Sequence, residues 1–314
     1  MEAKTVTIIG SYNVGLFLKG EHLPARGETV IGDEFYEGGG GKGSNQAVAA
    51  SMFGAPTRFV GRVGFDKYGQ DALAMYKRLG IACDSIRVDP STHTGISVIL
   101  IDRYGHNAIS VVLGANAHLS TDDIDAAEAA LRQSFIVGFQ LENDRKVVEY
   151  AIRKVHALGV PTFLDPAPAV PLPDDLYPCL DYIKPNETEV ATLTGISVTG
   201  AASAEEAGHW FIQRGVKTAI ITLGEHGAVL VTAQQVRHFY PPKVKAIDTT
   251  GAGDTFAGAF LTALAQGRSA ADAITFANHA AAISVTRLGV VGAIPTRTEV
   301  EASLRDAAVT ERKV

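Results

Sequence analysis

Phe135-Ile136-Val137-Gly138, then Asp144–Leu158, then Gly159 and Pro161-Thr162-Phe163-Leu164 form the stretch that decides the architecture. A short apolar run, a segment of helical length, a glycine and a second apolar run make a βαβ unit. Its crossover is right-handed and places the two strands parallel in one sheet. Gly159 acts as the stop, because glycine takes the left-handed conformation that ends a helix. The same order recurs along the chain. Val6–Ile9, Thr57–Val63, Tyr182–Lys184, Ala219–Thr222 and Ala228–Val231 read as strands. Ser44–Phe53, Tyr68–Leu79, Thr121–Gln133, Glu187–Thr194, Ala204–Arg214, Thr255–Ala265 and Ala270–Thr286 read as helices, and Arg78-Leu79-Gly80-Ile81 repeats the glycine stop. The expected fold class is α/β, a central mostly parallel β-sheet flanked by helices on both faces.

Residues 11–37 and 94–113 break this rhythm. Thr29–Ile31, Asp33–Tyr36, Ile96–Asp102 and Asn107–Leu113 look like strands with no helix between them, and Arg103-Tyr104-Gly105-His106 reads as a hairpin turn. They predict a small β-sheet lid laid over the main body, with residues 1–314 forming one domain. No repeat or linker divides the chain. The polar tail Asp306–Val314 is expected to fray.

Composition narrows the function. The 314 residues are 46% hydrophobic, enough for a sizeable core. A net charge of -6, from 28 Lys+Arg against 34 Asp+Glu, argues against a nucleic-acid surface, which needs clustered cations. No apolar run reaches the roughly 18–20 residues of a membrane span. Met1-Glu2-Ala3-Lys4 leads into an apolar run too short for a signal-peptide core. Cys83 and Cys179 stand apart with no CxxC, which suits a reducing cytoplasm. The expectation is a cytoplasmic enzyme acting on small molecules, with no nucleic-acid or membrane partner.

Glu37-Gly38-Gly39-Gly40-Gly41-Lys42-Gly43-Ser44-Asn45 formally contains GxGxxG, with Asp66 downstream. It does not follow the first buried strand, so a dinucleotide fold is rejected. Gly43 after Lys42 excludes a P-loop, which needs Ser or Thr there. What remains is a glycine-rich turn entering a helix N-terminus, suited to a polar or anionic ligand.

Asp248-Thr249-Thr250-Gly251-Ala252-Gly253-Asp254-Thr255-Phe256 is the sharper signal. Phe256, Phe260 and Leu264 recur at i, i+4, i+8, so a helix is expected from about Thr255. Gly251, Ala252 and Gly253 then precede a helix N-terminus, where amides and dipole attract an anion and small residues permit close approach. Asp254 is either a general base beside a phosphoryl group or an N-cap. Lys184-Pro185-Asn186-Glu187-Thr188-Glu189 is either a capped helix start or an edge for hydrated Mg²⁺ and phosphates. Thr222-Leu223-Gly224-Glu225-His226-Gly227 is either a phosphate or ribose loop or a tight turn. There is no HExxH, paired CxxC or GxSxG.

Taken together these motifs resemble the ribokinase (PfkB-type) family of ATP-dependent carbohydrate kinases, over nearly the whole chain. The likeness rests on Gly10–Asn13, Gly39–Gln46, Phe163–Pro168, Lys184–Glu189, Thr222–Gly227, Asp248–Phe256 and Ala281–Gly289. The resemblance implies a sugar kinase with Asp254 as catalytic base and Gly251, Ala252 and Gly253 as the anion hole. Asn13, Gly15, Gly41, Lys42, Gly43, Asn45, Glu142 and Asp254 would form the sugar site. Asn186, Thr222, Leu223, Gly224, Glu225, His226, Gly227, Gly253 and Asn278 would line the ATP site, and Glu189 would steer hydrated Mg²⁺. A monovalent cation, typically K⁺, would be held by Asp248, Thr250, Ser284, Arg287, Gly289 and Ala293, largely through carbonyls. It also implies a β-lid through which many members form homodimers.

The expected substrate is a pentose or related sugar phosphorylated on a primary hydroxyl. A nucleoside, hexose or other polyol is the alternative of the same mechanism, and a catalytically silent binding regulator or a dinucleotide oxidoreductase is the alternative of another class. One departure stands out. The ribokinase pattern has Asp two residues after the opening Asn, to accept two adjacent sugar hydroxyls; here Gly15 stands there. The expectation is a roomier pocket without that acceptor, in which ribose is disfavoured and a bulkier or substituted sugar preferred. Ala293 also lacks the hydroxyl the family places near the cation.

Overall fold

The computed structural model describes residues 4–311, with side chains to residue 306. Its strands are β1 (Thr5–Ile9), β2 (Asn13–Gly20), β3 (Gly32–Gly40), β4 (Thr57–Gly64), β5 (Ala82–Asp89), β6 (Gly95–Ile101), β7 (Asn107–Val112), β8 (Ser134–Phe139), β9 (Thr162–Leu164), β10 (Tyr182–Ile183), β11 (Thr218–Thr222), β12 (Ala228–Thr232) and β13 (Val236–Phe239). Its helices are α1 (Lys42–Met52), α2 (Lys67–Arg78), α3 (Thr121–Ala126), α4 (Glu128–Arg132), α5 (Arg145–Ala157), α6 (Glu187–Thr194), α7 (Ala201–Gln213), α8 (Ala252–Ala265), α9 (Ala270–Ser284) and α10 (Arg297–Glu311).

The large sheet has the order β13-β12-β11-β10-β9-β8-β1-β4-β5. From β11 to β5 every pairing is parallel, and β12 and β13 close one edge antiparallel. Strands such as β8 and β9 are apolar on both faces because helices cover both. One core holds Phe53, Phe59, Phe260 and Phe276, and the other holds Phe139, Tyr177 and Phe211. Helix α8 is buried from Asp254 to Ala265, so its apolar surface runs all round and it lies inside the molecule. The decisive βαβ unit is present: Asp144 caps α5 by accepting from the amides of Lys146 and Val147, and Gly159 stands at φ 73.

The smaller sheet has the order β3-β2-β6-β7. Its outer pairs are antiparallel and its central pair, β2 with β6, is parallel.

Several elements differ from expectation. Thr29–Ile31 is not a strand, whereas Asn13–Gly20 is the inner strand of the lid. Gly38–Gly40 belong to β3 rather than to a turn; only Gly41, at φ 88, carries the turn. Its missing side chain is a steric requirement, since a Cβ there would stand 2.8 Å from Asn13 N and 2.9 Å from Ser11 O. Thr121–Gln133 divides at Ala127 into α3 and α4, the first pinned by a Ser120–Asp123 capping box and by Arg62 on Asp123. Strands β5 and β13 sit at sheet edges, where apolar and polar residues mix without clean alternation, and were not expected; neither was α10. Helix α10 carries the polar tail on to Glu311, and the expected fraying beyond it lies outside the described residues. Among the described residues no helix is long and apolar enough to cross a membrane.

Candidate active site

Five neighbouring parallel strands deliver polar residues from their C-terminal ends to one edge of the sheet. Ser11 and Asn13 follow β1, Gln140 and Glu142 follow β8, Asp165 follows β9, Lys184 and Asn186 follow β10, and Thr222 ends β11. This is where open α/β sheets bind ligands, because the connections part there.

Helix α8 points its N-terminus at this edge. It begins at Ala252, three residues earlier than the apolar spacing predicts, because Phe256, Phe260 and Leu264 mark the buried stripe and not its start. Gly251 is the N-cap, in the left-handed region at φ 75, and Asp254 lies in the first turn. The N-cap reading of Asp254 is therefore wrong. Its carboxylate is buried and held by two amides: Oδ2 accepts from Asn45 Nδ2 at 2.8 Å and Oδ1 from Gln46 Nε2 at 3.3 Å.

Beneath it lies a network that the motif reading did not assign. Gln46 Nε2 also donates to Asp165 Oδ2 at 2.8 Å, and Gln46 Oε1 accepts from Gln140 at 2.6 Å. Asp165 Oδ1 pairs with Lys184 Nζ at 3.1 Å, both side chains being buried. Burial pushes the Asp165 carboxyl up to about 6, with Lys184 opposing. A Cβ at Gly253 would stand 3.5 Å from Lys184 Nζ, so this ammonium lies against the helix start. The legible signal was a charged residue directly after a buried apolar strand, at both Asp165 and Lys184.

Lys42 opens α1, and the charge of Asp254 raises its pKa against the opposing effect of burial. Its backbone amide donates to Glu142 Oε2 at 2.8 Å, and Ser11 Oγ donates to the same oxygen at 2.5 Å. Asn13 Oδ1 accepts from Asn116 Nδ2 at 2.9 Å, so an unassigned asparagine orients an assigned one. Gly43 packs against β1, where a Cβ would stand 2.7 Å from Gly10 Cα. Gly41, Lys42, Gly43, Asn45 and Glu142 thus gather on one side of Asp254.

A cavity of about 810 Å³ adjoins them, with Lys42 and Asp254 in its wall. Lys42, Lys184, Asn186, Glu189, Thr222, Gly224, Glu225, His226, Gly227, Gly251–Asp254 and Asn278 line it. Asn186 caps α6 in a capping box with Glu189, which settles the local geometry of that motif. Thr222–Gly227 closes as a tight turn in which Leu223 N donates to Gly227 O at 2.7 Å. Gly227, at φ 87, packs so near β13 that a Cβ would meet Phe239 O at 1.9 Å. Leu223 departs from expectation: its side chain is buried in the apolar core and holds the turn instead of facing the cavity.

Asp248 joins two loops, Oδ1 accepting from Thr250 N at 2.9 Å and Oδ2 from Gly289 N at 3.0 Å. Ser284 Oγ donates to Ala281 O, Arg287 pairs with Glu299, and Ala293 is buried in the turn Val291–Ala293. Gly15, finally, does not open a roomier pocket. It is extended in β2, and the ring of Phe17 lies across it, 2.6 Å from where a Cβ would stand.

The comparisons fit this arrangement. The model of the pfkB family carbohydrate kinases matches residues 3–297. The chain is 39% identical over 296 residues to the ribokinase of Haemophilus influenzae, covering 94% of this chain and 97% of that one. The structure of the Thermotoga maritima ribokinase superimposes with a TM-score of 0.89 at 36% identity, covering 96% of this chain and 99% of the other. That of Arabidopsis thaliana ribokinase complexed with ribose and ATP gives 0.87 at 32% identity, covering 96% and 98%. A strand-edge site, a carboxylate set in a helix N-terminus and a family match along nearly the whole length agree: the chain belongs to the pfkB family of carbohydrate kinases.

Proposed function

We propose that this ribokinase-type sugar kinase transfers the terminal phosphoryl group of ATP to a primary hydroxyl of a pentose or related sugar. The observation that carries the reading is Asp254, a buried carboxylate gripped by Asn45 and Gln46 at the mouth of α8. The sugar hydroxyl gives its proton to Asp254 as its oxygen attacks the terminal phosphorus in line. The bond to the bridging oxygen breaks, and ADP leaves. Gly251, Ala252 and Gly253 hold the migrating group with backbone amides and the helix dipole. Lys42, Asn13, Asn45 and Glu142 bind the sugar hydroxyls. Asn186, Thr222, Gly224–Gly227 and Asn278 hold the nucleotide.

Mg²⁺ supplies charge neutralisation on the phosphates. No cluster of three or more acidic, His or Cys side chains fit for a metal occurs among the described residues, so Glu189 would hold Mg²⁺ through its water shell. The Asp248 region suits a monovalent cation such as K⁺. Its carboxylate ties together the two loops that would surround the ion, and carbonyls of Thr250, Ser284, Arg287, Gly289 and Ala293 would complete the shell. Such an ion orders the anion hole and does not touch substrate. The reading includes a cytoplasmic setting and a homodimer through the lid. The latter is supported by large apolar side chains exposed there, among them Phe35, Ile109 and Val112.

ADP release measured over a panel of sugars and nucleosides tests the function. At least one pentose should support turnover, and Asp254→Asn should lower kcat by about 10²-fold or more while ATP still binds. Near-normal turnover in that variant would overturn the mechanism.

A further inference from the structure

The lid surface that continues from Asn13 is aromatic. Asn13, Gly15 and Phe17 alternate along β2 and share one face. Across β3 they meet Gly40, Gly38 and Tyr36, and across β6 Gly15 and Phe17 meet Ser97 and Ile99. Phe17 and Tyr36 are stacked, with centroids 4.5 Å apart and planes within 7°. Gly15 is not held at positive φ, so the backbone there would accept any residue. The space a side chain would take is filled by Phe17, whose Cε2 and Cζ lie 2.6 Å and 3.1 Å from the ideal Cβ position. The carboxamide oxygen of Asn13 is already engaged by Asn116. The plate shares its strand face with Asn13, which the sugar-kinase reading assigns to the sugar. Strand β3 runs from Tyr36 to the turn at Gly41 and Lys42, and it packs against Val291–Ala293 beside the Asp248 loop.

We infer that the sugar of this kinase lacks a hydroxyl on the carbons turned toward β2: a deoxypentose, or another sugar that presents C–H there to the Phe17–Tyr36 plate. The inference rests on the sugar-kinase reading. An aromatic face gains from covering C–H surface. A hydroxyl pressed against it exchanges water for a wall without a charged acceptor, Ser97 being the neutral polar neighbour. Apolar walls reject an added hydroxyl by up to about 10²-fold.

The test compares kcat/KM for D-ribose, 2-deoxy-D-ribose and 3-deoxy-D-ribose. In the wild type a deoxy sugar should exceed ribose by about 10-fold or more. Phe17→Leu, which keeps the apolar bulk, should retain the preference. Phe17→Ser should shrink the ratio about 10-fold by weakening the deoxy sugar, and Gly15→Asp with Phe17→Ala should turn it toward ribose. Thermal melting and ATP binding of each variant report its folding. Ribose as the best of the three, or a ratio indifferent to Phe17→Ser, overturns the inference and leaves the kinase reading standing. ADP release with no sugar or nucleoside of the wider panel overturns both.

Discussion

The floor of the site and the lid above it are made of opposite materials. The floor is a buried chain of polar contacts, Lys184 to Asp165 to Gln46 to Asp254 to Asn45, in which each side chain is fixed by the next. The lid is a four-stranded sheet whose β7 is exposed along its length and whose ion pairs, such as Lys19 with Glu34, lie in solvent. Chemistry needs a carboxylate in one place, so the floor is over-determined by hydrogen bonds that buried polar groups cannot forgo. Choice of sugar needs only a surface of the right polarity, which a strand face can change one residue at a time.

The sharpest test of this contrast is Lys184→Met, which removes the cation facing the buried Asp165. Loss of one partner of a buried pair costs about 3–5 kcal/mol, and adding Asp165→Asn should recover most of it. The loss should also depend on pH. Burial lifts the folded Asp165 from 3.8 to about 6, so its ionised form costs stability only in the folded chain. In the wild type that cost grows from about pH 4 and levels off above about pH 6, and without the opposing ammonium the Asp165 carboxyl is pushed higher still, so urea midpoints of Lys184→Met should fall further behind the wild type above about pH 6. A difference that stays flat with pH would mean that the two side chains are not coupled in this way.

A smaller effect is expected where floor and loops meet. If the proposed K⁺ site is real, replacing K⁺ by tetramethylammonium should lower kcat on the order of 10-fold, because the ion would act on the anion hole from its side. Titrating K⁺ back at constant ionic strength checks it, and a rate independent of the cation would remove that ion from the site. The smallest effect belongs to the lid. Lys19→Ala removes an exposed pair that water already screens, and neither the melting midpoint nor kcat should move measurably. A clear loss would show that the lid edge is braced like the floor.

Much of this was legible in residues close together in sequence. The βαβ rhythm, the glycine stops and the candidate anion-binding turn before Phe256 each depend on spacing within one segment. The start of α8 was misplaced because periodicity marks a buried stripe, while Gly251 at φ 75 begins the helix before that stripe appears. Strand β2 was missed because glycines at Gly15 and Gly20 interrupt the alternation of its eight residues.

The sequence by itself determined the fold class and most of the order of elements, and it offered candidate residues for phosphoryl transfer, because backbone preferences and hydrophobic periods act over a few residues. Tertiary structure alone decided that Gln46 bridges Asp165 and Asp254, that Lys184 lies under Gly253, and that Phe17 lies across Gly15. Asn45 and Asp254 are 209 residues apart, and their contact exists because α1 and α8 pack side by side beneath the lid. Strand order and rotamer packing set such meetings, and no local period encodes them.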